Sequence, residues 1–322
     1  MYAGVQIRAA SASRLKKINY VLWMKVADRI GTTLEKTGCK HSIGSRILYG
    51  FGWMFLYRAL QERLGLRRCR HAITGAAPIA PEILRFFMGI GVPIYEAYGM
   101  TENSIVATTN RRNRIKVGTV GEAYPGIDVR IDDETGEILV RHGGVFEGYW
   151  QMDEATARTI DPDGWLHTGD VGEWVDGTHV RIVDRMKDII ITAGGKNISP
   201  SEIENSLKTS PFVAEAVVIG DRRKFLSALI GIDFDIVSNW AQRRGLTHTT
   251  YRDLTTKEEV RGLIAKVVAD TNEKFARVEH IRKFEFFPKE LDEDDGELTA
   301  TQKVKRAAVE ERFRDLIDIM YQ

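Results

Sequence analysis

The chain has 322 residues, enough for about two domains of ordinary size, and its 43% hydrophobic and 28% charged residues exclude a disordered or collagen-like polypeptide. No apolar run approaches the roughly 20 residues that cross a bilayer, since the longest candidate, Ile47 to Leu56, is interrupted by Gly50 and Gly52. The net charge of +1 hides an asymmetry: residues 1–70 carry 14 Lys/Arg against 3 Asp/Glu, a net +11, which leaves −10 on the rest.

Residues 1–70 read mostly as helix. Apolar residues recur at helical spacing through Ile18, Val21, Leu22 and Val26, and again through Leu56, Leu60 and Leu64, with Gly65 suited to end a helix. Tyr2 to Arg14 lacks the apolar core of a secretory signal. Cys39 and Cys69 have neither metal-ligand nor framework spacing, which makes a reducing cytoplasm the expected location. The basic front segment with Trp23, Phe51, Trp53 and Phe55 suits either peripheral contact with an anionic membrane or amphipathic helices packed on the rest of the fold. Ordinary helical amphipathicity favours the second.

From His71 the pattern becomes a short strand ending in a small-residue loop, a helix over "PEILRFFMGIG", and a strand over "VPIYEAYGMTE". This βαβ-like alternation predicts a parallel sheet, with ligands held just beyond its strand ends. Residues 115–183 read as β structure, including a hairpin with Ile127, Val129 and Ile131 on one arm, a turn at Asp133–Gly136, and Ile138 to Arg141 on the other. Beyond Asp184, strands over Ala216 to Gly220 and Ala228 to Phe234 mix with helices over Ser201 to Thr209, Lys257 to Phe275 and Val304 to Tyr321. The expected fold is α/β with β-barrel parts over residues 1–186, then a smaller α+β domain over 187–322.

Two glycine patterns carry no chemistry. Gly194-Gly195-Lys196 lacks the first glycine and the following Ser/Thr of a phosphate loop, and Gly89-Ile90-Gly91 lacks the third glycine of a dinucleotide fingerprint. Four strings in fixed order are informative: "GAAP" (Gly75 to Pro78), "YGMTE" (Tyr98 to Glu102), "DGWLHTGD" (Asp163 to Asp170) and "DRMKDIIITAGGKNISPSEIE" (Asp184 to Glu204). Backbone groups at Gly75, Ala76 and Ala77 can approach a ligand closely because their side chains are small. Tyr98 offers a ring that can stack on a base, or serves as a buried strand-end tyrosine. Thr101 offers a hydroxyl to a phosphate, and Glu102 a hard oxygen of the kind Mg²⁺ takes. The carboxylate of Asp170 has acceptors enough for both hydroxyls of a ribose, or stabilises its own turn, and Arg185 is a forked donor.

Together these strings resemble the adenylate-forming superfamily of acyl-CoA synthetases, luciferases and peptide-synthetase adenylation domains. "GAAPIAPEILRFF" and the block from Asp163 to Pro200 are similar to the long-chain fatty-acyl-CoA ligases. The resemblance spans nearly the whole chain, least over residues 1–70, and looks like the C-terminal half of such an enzyme. It implies AMP-forming ligation of a fatty acid to coenzyme A, with ATP and CoA as co-substrates, Mg²⁺ as metal, and no nucleic acid. By position it gives Gly75, Ala76, Ala77, Tyr98, Gly99, Thr101, Asp170 and Arg185 to ATP or AMP, and Glu102 to the metal. Lys187 falls at the hinge, Gly194 and Gly195 at the pantetheine tunnel, and Lys303 at the catalytic lysine, with Thr101 and Glu102 assisting.

In two respects the chain departs from the pattern. Gln302 stands where the widespread form has Gly before the lysine, which makes Lys305 a competitor. The family's Ser/Thr/Gly-rich phosphate loop has no counterpart in residues 1–70, and "MYAGVQ" resembles an internal helix. The expected activity of this chain alone is therefore incomplete. A ligase that loads a carrier protein and a non-catalytic remnant are the rival readings. An insertion often found at the domain junction of the carrier-loading branch is absent between Thr168 and Lys187.

Overall fold

A computed structural model describes residues 4, 5, 9, 12–77 and 79–322. Pro78 and most of the "MYAGVQ" segment lie outside the described residues. The chain forms two compact units, Met1–Lys187 and Asp188–Gln322.

The first unit opens with helix α1 (Arg14–Lys36), then α2 (Ile43–Gly52), which runs through a π-helical turn (Trp53–Tyr57) into α3 (Arg58–Arg63). The Ser42 hydroxyl caps α2 by accepting from Ser45 N at 3.1 Å, and Gly65, at φ +72°, follows the end of α3 as its sequence suggests. Strand β1 (Ala72–Thr74), helix α4 (Pro81–Gly89) and strand β2 (Ile94–Tyr98) form the expected βαβ unit, with β1 and β2 parallel. Helices α1 and α4 approach backbone to backbone. A Cβ on Gly89 would stand 2.1 Å from the Ala27 carbonyl, and one on Gly31 2.4 Å from that of Arg85.

The expected apolar face of α1 holds only in its C-terminal half. Ala27, Ile30, Gly31 and Leu34 are buried, whereas Ile18 and Leu22 are 65% and 56% exposed. Periodicity marks an apolar stripe correctly but does not say where the cover for it ends. Leu56, Leu60 and Leu64 do pack, against a core that includes Tyr57, Phe86, Phe87 and Ile90. No helix of the described residues is long and apolar enough to cross a membrane.

Strands β3 (Thr108–Thr109) and β4 (Glu122–Ala123) extend the first sheet in the order β1-β2-β3-β4. A second, antiparallel sheet runs β5 (Asp128–Ile131), β6 (Glu137–Arg141), β7 (Leu166–Val175) and β8 (His179–Arg185) in sequence order. Helix α5 (Asp153–Thr159) interrupts what the sequence presents as continuous β structure. The sheets are stitched where Val120 N donates to Val180 O and Val180 N to Gly121 O, each at 2.8 Å. Tyr98, Ala107, Ile138, Val140 and Val180 form the core at that seam.

The second unit starts with a small hairpin, β9 (Ile190–Ile191) and β10 (Asn197–Ile198), and helix α6 (Pro200–Leu207). Its sheet has the order β11 (Val213–Ile219), β12 (Leu226–Ile232), β13 (Ile281–Phe286). Every residue of β12 is buried. One core includes helices α6, α7 (Phe234–Gln242), α8 (Tyr251–Thr255) and α9 (Glu258–Asn272). The other includes α10 (Arg306–Arg312) and α11 (Arg314–Tyr321) through Val309, Phe313, Ile317 and Met320. Two differences from expectation have a visible cause. Phe234 begins a helix rather than ending a strand because Asp233 caps it, accepting from Ile236 N at 3.1 Å. The helix expected over Val304 to Tyr321 is split at Phe313, whose side chain turns into the core.

Candidate active site

The central constellation forms where the two sheets of the first unit meet. Tyr98 ends β2, and Asp170 lies on β7 directly opposite Arg185 of β8. The Tyr98 hydroxyl donates to Asp170 Oδ2 at 2.7 Å, and Arg185 Nε donates to Oδ1 at 3.1 Å. The Tyr98 ring is 7% exposed, and burial, then the Asp170 charge, pushes its phenol pKa upward, so it remains a donor. In this structure the ring is core, and its polar end steadies the carboxylate. A carboxylate with two acceptor oxygens at this position is the kind of group that takes a diol such as a ribose edge. Arg185 stays half exposed beside it.

The loop after Tyr98 is folded tightly. A Cβ on Gly99 would lie 1.8 Å from the Ile105 carbonyl, so only glycine fits there. Ser104 and Ile105 sit at φ +57° and +85°, an unusual conformation for a β-branched residue. A second loop braces this one. Ser104 Oγ donates to Gly144 O at 2.6 Å, Phe146 N to Glu102 O at 2.8 Å, and the Tyr149 hydroxyl to Glu102 Oε1 at 2.8 Å. Tyr149 is the site neighbour that the sequence does not announce. Its only signal is an aromatic pair in "GYW", and the contact spans 47 residues. Thr101 remains exposed on the 3₁₀ turn Thr101–Asn103.

Gly75, Ala76 and Ala77 leave the end of β1 beside Ala97, whose carbonyl a Cβ on Gly75 would meet at 3.0 Å. All three are exposed, and Ala76 takes φ +67°. As for a metal, among the described residues no three His, Cys, Asp or Glu are grouped to hold one. Glu102 is a lone, half-buried carboxylate oriented by Tyr149. That fits Mg²⁺, which takes one or two carboxylates and completes its shell with phosphates and water.

Lys187 is exposed in the 3₁₀ turn Met186–Asp188, at the last residue of the first unit. Gly194, Gly195 and Lys303 belong to the second unit. Gly194 and Gly195 form the exposed tip of the β9–β10 hairpin, closed by Gly195 N donating to Thr192 O at 2.8 Å. Lys303 is exposed on a tight hairpin whose arms bridge at Leu298 and Val304. Thr299 N donates to Lys303 O at 2.8 Å, and Lys303 N donates back to Thr299 Oγ1 at 3.0 Å. Gln302 takes φ +60°, the region where glycine is at ease. Arg306 is structural here: it donates to Glu204 at 2.6 Å and to Val218 O at 2.8 Å.

The sequence matches two family models, "AMP-binding enzyme" over residues 28–150 and "AMP-binding enzyme C-terminal domain" over residues 187–322. This chain belongs to the AMP-binding enzyme family. It is 39% identical to the long-chain-fatty-acid–CoA ligase FadD15 of Mycobacterium bovis, over 93% of this chain and 48% of that protein. It is 32% identical to the long-chain-fatty-acid–CoA ligase ACSBG2 of Xenopus laevis, over 97% of this chain and 45% of that protein. The adenylation domain of a carboxylate reductase from Mycobacterium chelonae shares the fold, with a TM-score of 0.68 at 21% identity over 93% of this chain and 45% of that one. The chain thus spans about half the length of the curated relatives it matches.

Proposed function

We propose that this chain carries the nucleotide-binding and lysine-bearing part of an AMP-forming long-chain fatty acid–CoA ligase. The observation that supports this reading most is the Tyr98–Asp170–Arg185 cluster, a ready acceptor for ribose hydroxyls inside a family of AMP-binding enzymes. In the proposed reaction a carboxylate oxygen attacks the α-phosphorus of ATP, and pyrophosphate leaves with the broken bond. The thiol sulfur of CoA then attacks the acyl carbonyl carbon, its proton is lost, and AMP departs.

Within that scheme Asp170 and Arg185 hold the ribose, with Tyr98 fixing the carboxylate's rotamer. Backbone groups of Gly75, Ala76, Ala77 and Gly99 border the nucleotide, and the Thr101 hydroxyl takes a phosphate. Glu102 holds Mg²⁺, which when bound neutralises phosphate charge. The ammonium of Lys303 stabilises charge developing between carboxylate and phosphate. Lys187 is the hinge between the half-reactions, and Gly194 and Gly195 line the path of pantetheine. CoA supplies the thiol, so no protein nucleophile is required. Peripheral contact with an anionic membrane would use the basic N-terminal helices, where Leu15 and Phe55 stand 82% and 55% exposed.

Two measurements test this reading. AMP titrated into the chain should bind, and Asp170→Ala should weaken binding about tenfold or more, the value of hydrogen bonds to a charged group. Equal affinity in the variant would remove Asp170 from the site. With the upstream half of the Mycobacterium bovis relative supplied, Lys303→Ala should lower acid-dependent adenylate formation about 10²–10³-fold. Thioester formation from added acyl-adenylate should suffer far less. Equal loss in both half-reactions, or a larger loss at Lys305→Ala, would refute the lysine assignment.

A further inference from the structure

The hairpin that presents Lys303 is short and exposed at its tip, yet one arm begins at a fully buried carboxylate. The Glu297 side chain is 0% exposed. Its Oε2 accepts from Lys289 Nζ at 2.9 Å and from Asp292 N at 3.0 Å. Its Oε1 lies 3.2 Å from Arg312 Nε, an ion pair without the alignment of a hydrogen bond. Its backbone carbonyl accepts from Lys305 N at 2.8 Å, two residues beyond Lys303 on the opposite arm. Asp295 ties the same two cations together: it pairs with Lys289, its carbonyl accepts from Arg312 Nη1 at 3.0 Å, and its carboxylate lies 3.4 Å from Arg312. Lys289 and Arg312 therefore converge from the loop after β13 and from the last turn of α10 onto one glutamate.

We infer that Glu297 is the positioning residue for Lys303: a buried carboxylate, clamped by Lys289 and Arg312, that fixes the base of the lysine-bearing hairpin to the domain core. The role given to Lys303 rests on the proposed ligase reading, but the clamp itself does not. Among the described residues no side chain holds the Lys303 ammonium on its seven-residue hairpin, whose internal bonds are two between Thr299 and Lys303, one from Gln302 N to Thr299 O and one between the hydroxyls of Thr299 and Thr301. Leu298, 6% exposed, and Val304, packed against the core of Phe287 and Phe313, anchor the two arms by apolar contact and are bridged to each other. The Glu297 clamp supplies the rest, and it does so with charge. Neutralising Glu297 removes the buried charge from between Lys289 and Arg312 and leaves them the half-exposed Asp295 as anionic partner, while no apolar side chain is changed. The clamp is thereby assigned to the rigidity of the hairpin rather than to the stability of the sheet.

The experiment uses the whole chain with Glu297→Gln, Glu297→Asp and, as a control at an exposed site, Val278→Ser. Amide hydrogen exchange and ¹⁵N heteronuclear NOEs are measured over Leu298–Lys305 and over β12. In Glu297→Gln, exchange at the Thr299, Gln302, Lys303 and Lys305 amides should accelerate by about tenfold or more, as expected when a charge-assisted bond is lost. The NOEs of Gln302 and Lys303 should fall, with β12 protection unchanged. Glu297→Asp keeps the charge and should recover part of the protection, and Val278→Ser should change nothing. A merely structural glutamate would instead lower protection in β12 and the hairpin together, which would overturn the proposal. Unchanged hairpin exchange in Glu297→Gln would overturn it equally. These readouts need no turnover, so failure of the clamp is distinguishable from failure of the ligase reading, which the Lys303→Ala comparison tests.

Discussion

The two units dispose of apolar surface in different ways. In the second, β12 is buried along its whole length, and separate hydrophobic cores with their own helices account for its flanks. In the first, Leu15, Ile43 and Ile73 stand 82%, 80% and 69% exposed, and the last of these lies on β1, at one end of its sheet and parallel to its neighbour. Parallel strands are normally covered on both faces. The second unit closes its core with its own elements, whereas the first presents a face and an edge that call for cover, in a chain about half as long as its relatives. The largest expected effect follows from this contrast. Residues 188–322 expressed alone should unfold cooperatively, with a stability in the ordinary range of about 5–15 kcal/mol. Residues 1–187 alone should self-associate through the exposed helix and strand surfaces. Sedimentation and denaturant titration of the two pieces decide it. A monodisperse first piece beside a non-cooperative second would reverse the comparison.

Two buried glutamates, one in each unit, show a further difference. In the second unit Glu204 has a cation, Arg306, at 2.6 Å and accepts from Val218 N at 2.7 Å. In the first, Glu96 on β2 is 8% exposed, and its Oε2 has no partner among the described residues. Burial pushes the Glu96 carboxyl up to about 8, against a smaller opposing effect of the Gly118 amide. The sign is set by proton uptake. Between the unfolded value near 4.5 and about 8, the folded chain keeps a proton that the unfolded chain has lost. Stability is therefore greatest at the acid side of that window and falls as pH rises through it, by at most about 5 kcal/mol. Denaturant midpoints measured at pH 5.5 and pH 8.5 should drop in the parent chain and drop less in Glu96→Gln. Parallel drops in both would show that Glu96 titrates normally.

What the sequence made legible was local. The four strings lie where strands end or turn, and the βαβ unit and the 127–141 hairpin are read directly from spacing and turn residues. The bond from Tyr98 to Asp170 was not legible, because it joins two sheets across 72 residues. The chemistry expected of a conspicuous tyrosine was a stacking face; what spacing could not show is that most of the ring is buried at the seam, with its hydroxyl bonded to Asp170. Arg306 stands three residues after Lys303, yet its partner Glu204 stands 102 residues earlier. Helix α7 was hidden because Phe234 continues an apolar run, though Asp233 ahead of it is a capping residue whose signal was available.

The smallest effect concerns the one residue at which the lysine motif departs from its widespread form. Gln302 occupies φ +60° at the hairpin tip, where its side chain is exposed and its amide donates to Thr299 O at 2.8 Å. A left-handed conformation costs a non-glycine residue roughly 1–2 kcal/mol. Glycine removes that strain but loses more backbone entropy on folding, by roughly 0.5–1 kcal/mol. The two terms nearly cancel, so Gln302→Gly should stabilise residues 188–322 by only about 0.5 kcal/mol. Gln302→Val should destabilise them by about 1 kcal/mol, since a β-branched side chain tolerates positive φ least. Denaturant midpoints of the three proteins give the order Gly, Gln, Val. Valine equal to or above glutamine would mean that the tip does not hold a left-handed residue, and glycine in the widespread motif would then need a reason other than backbone conformation.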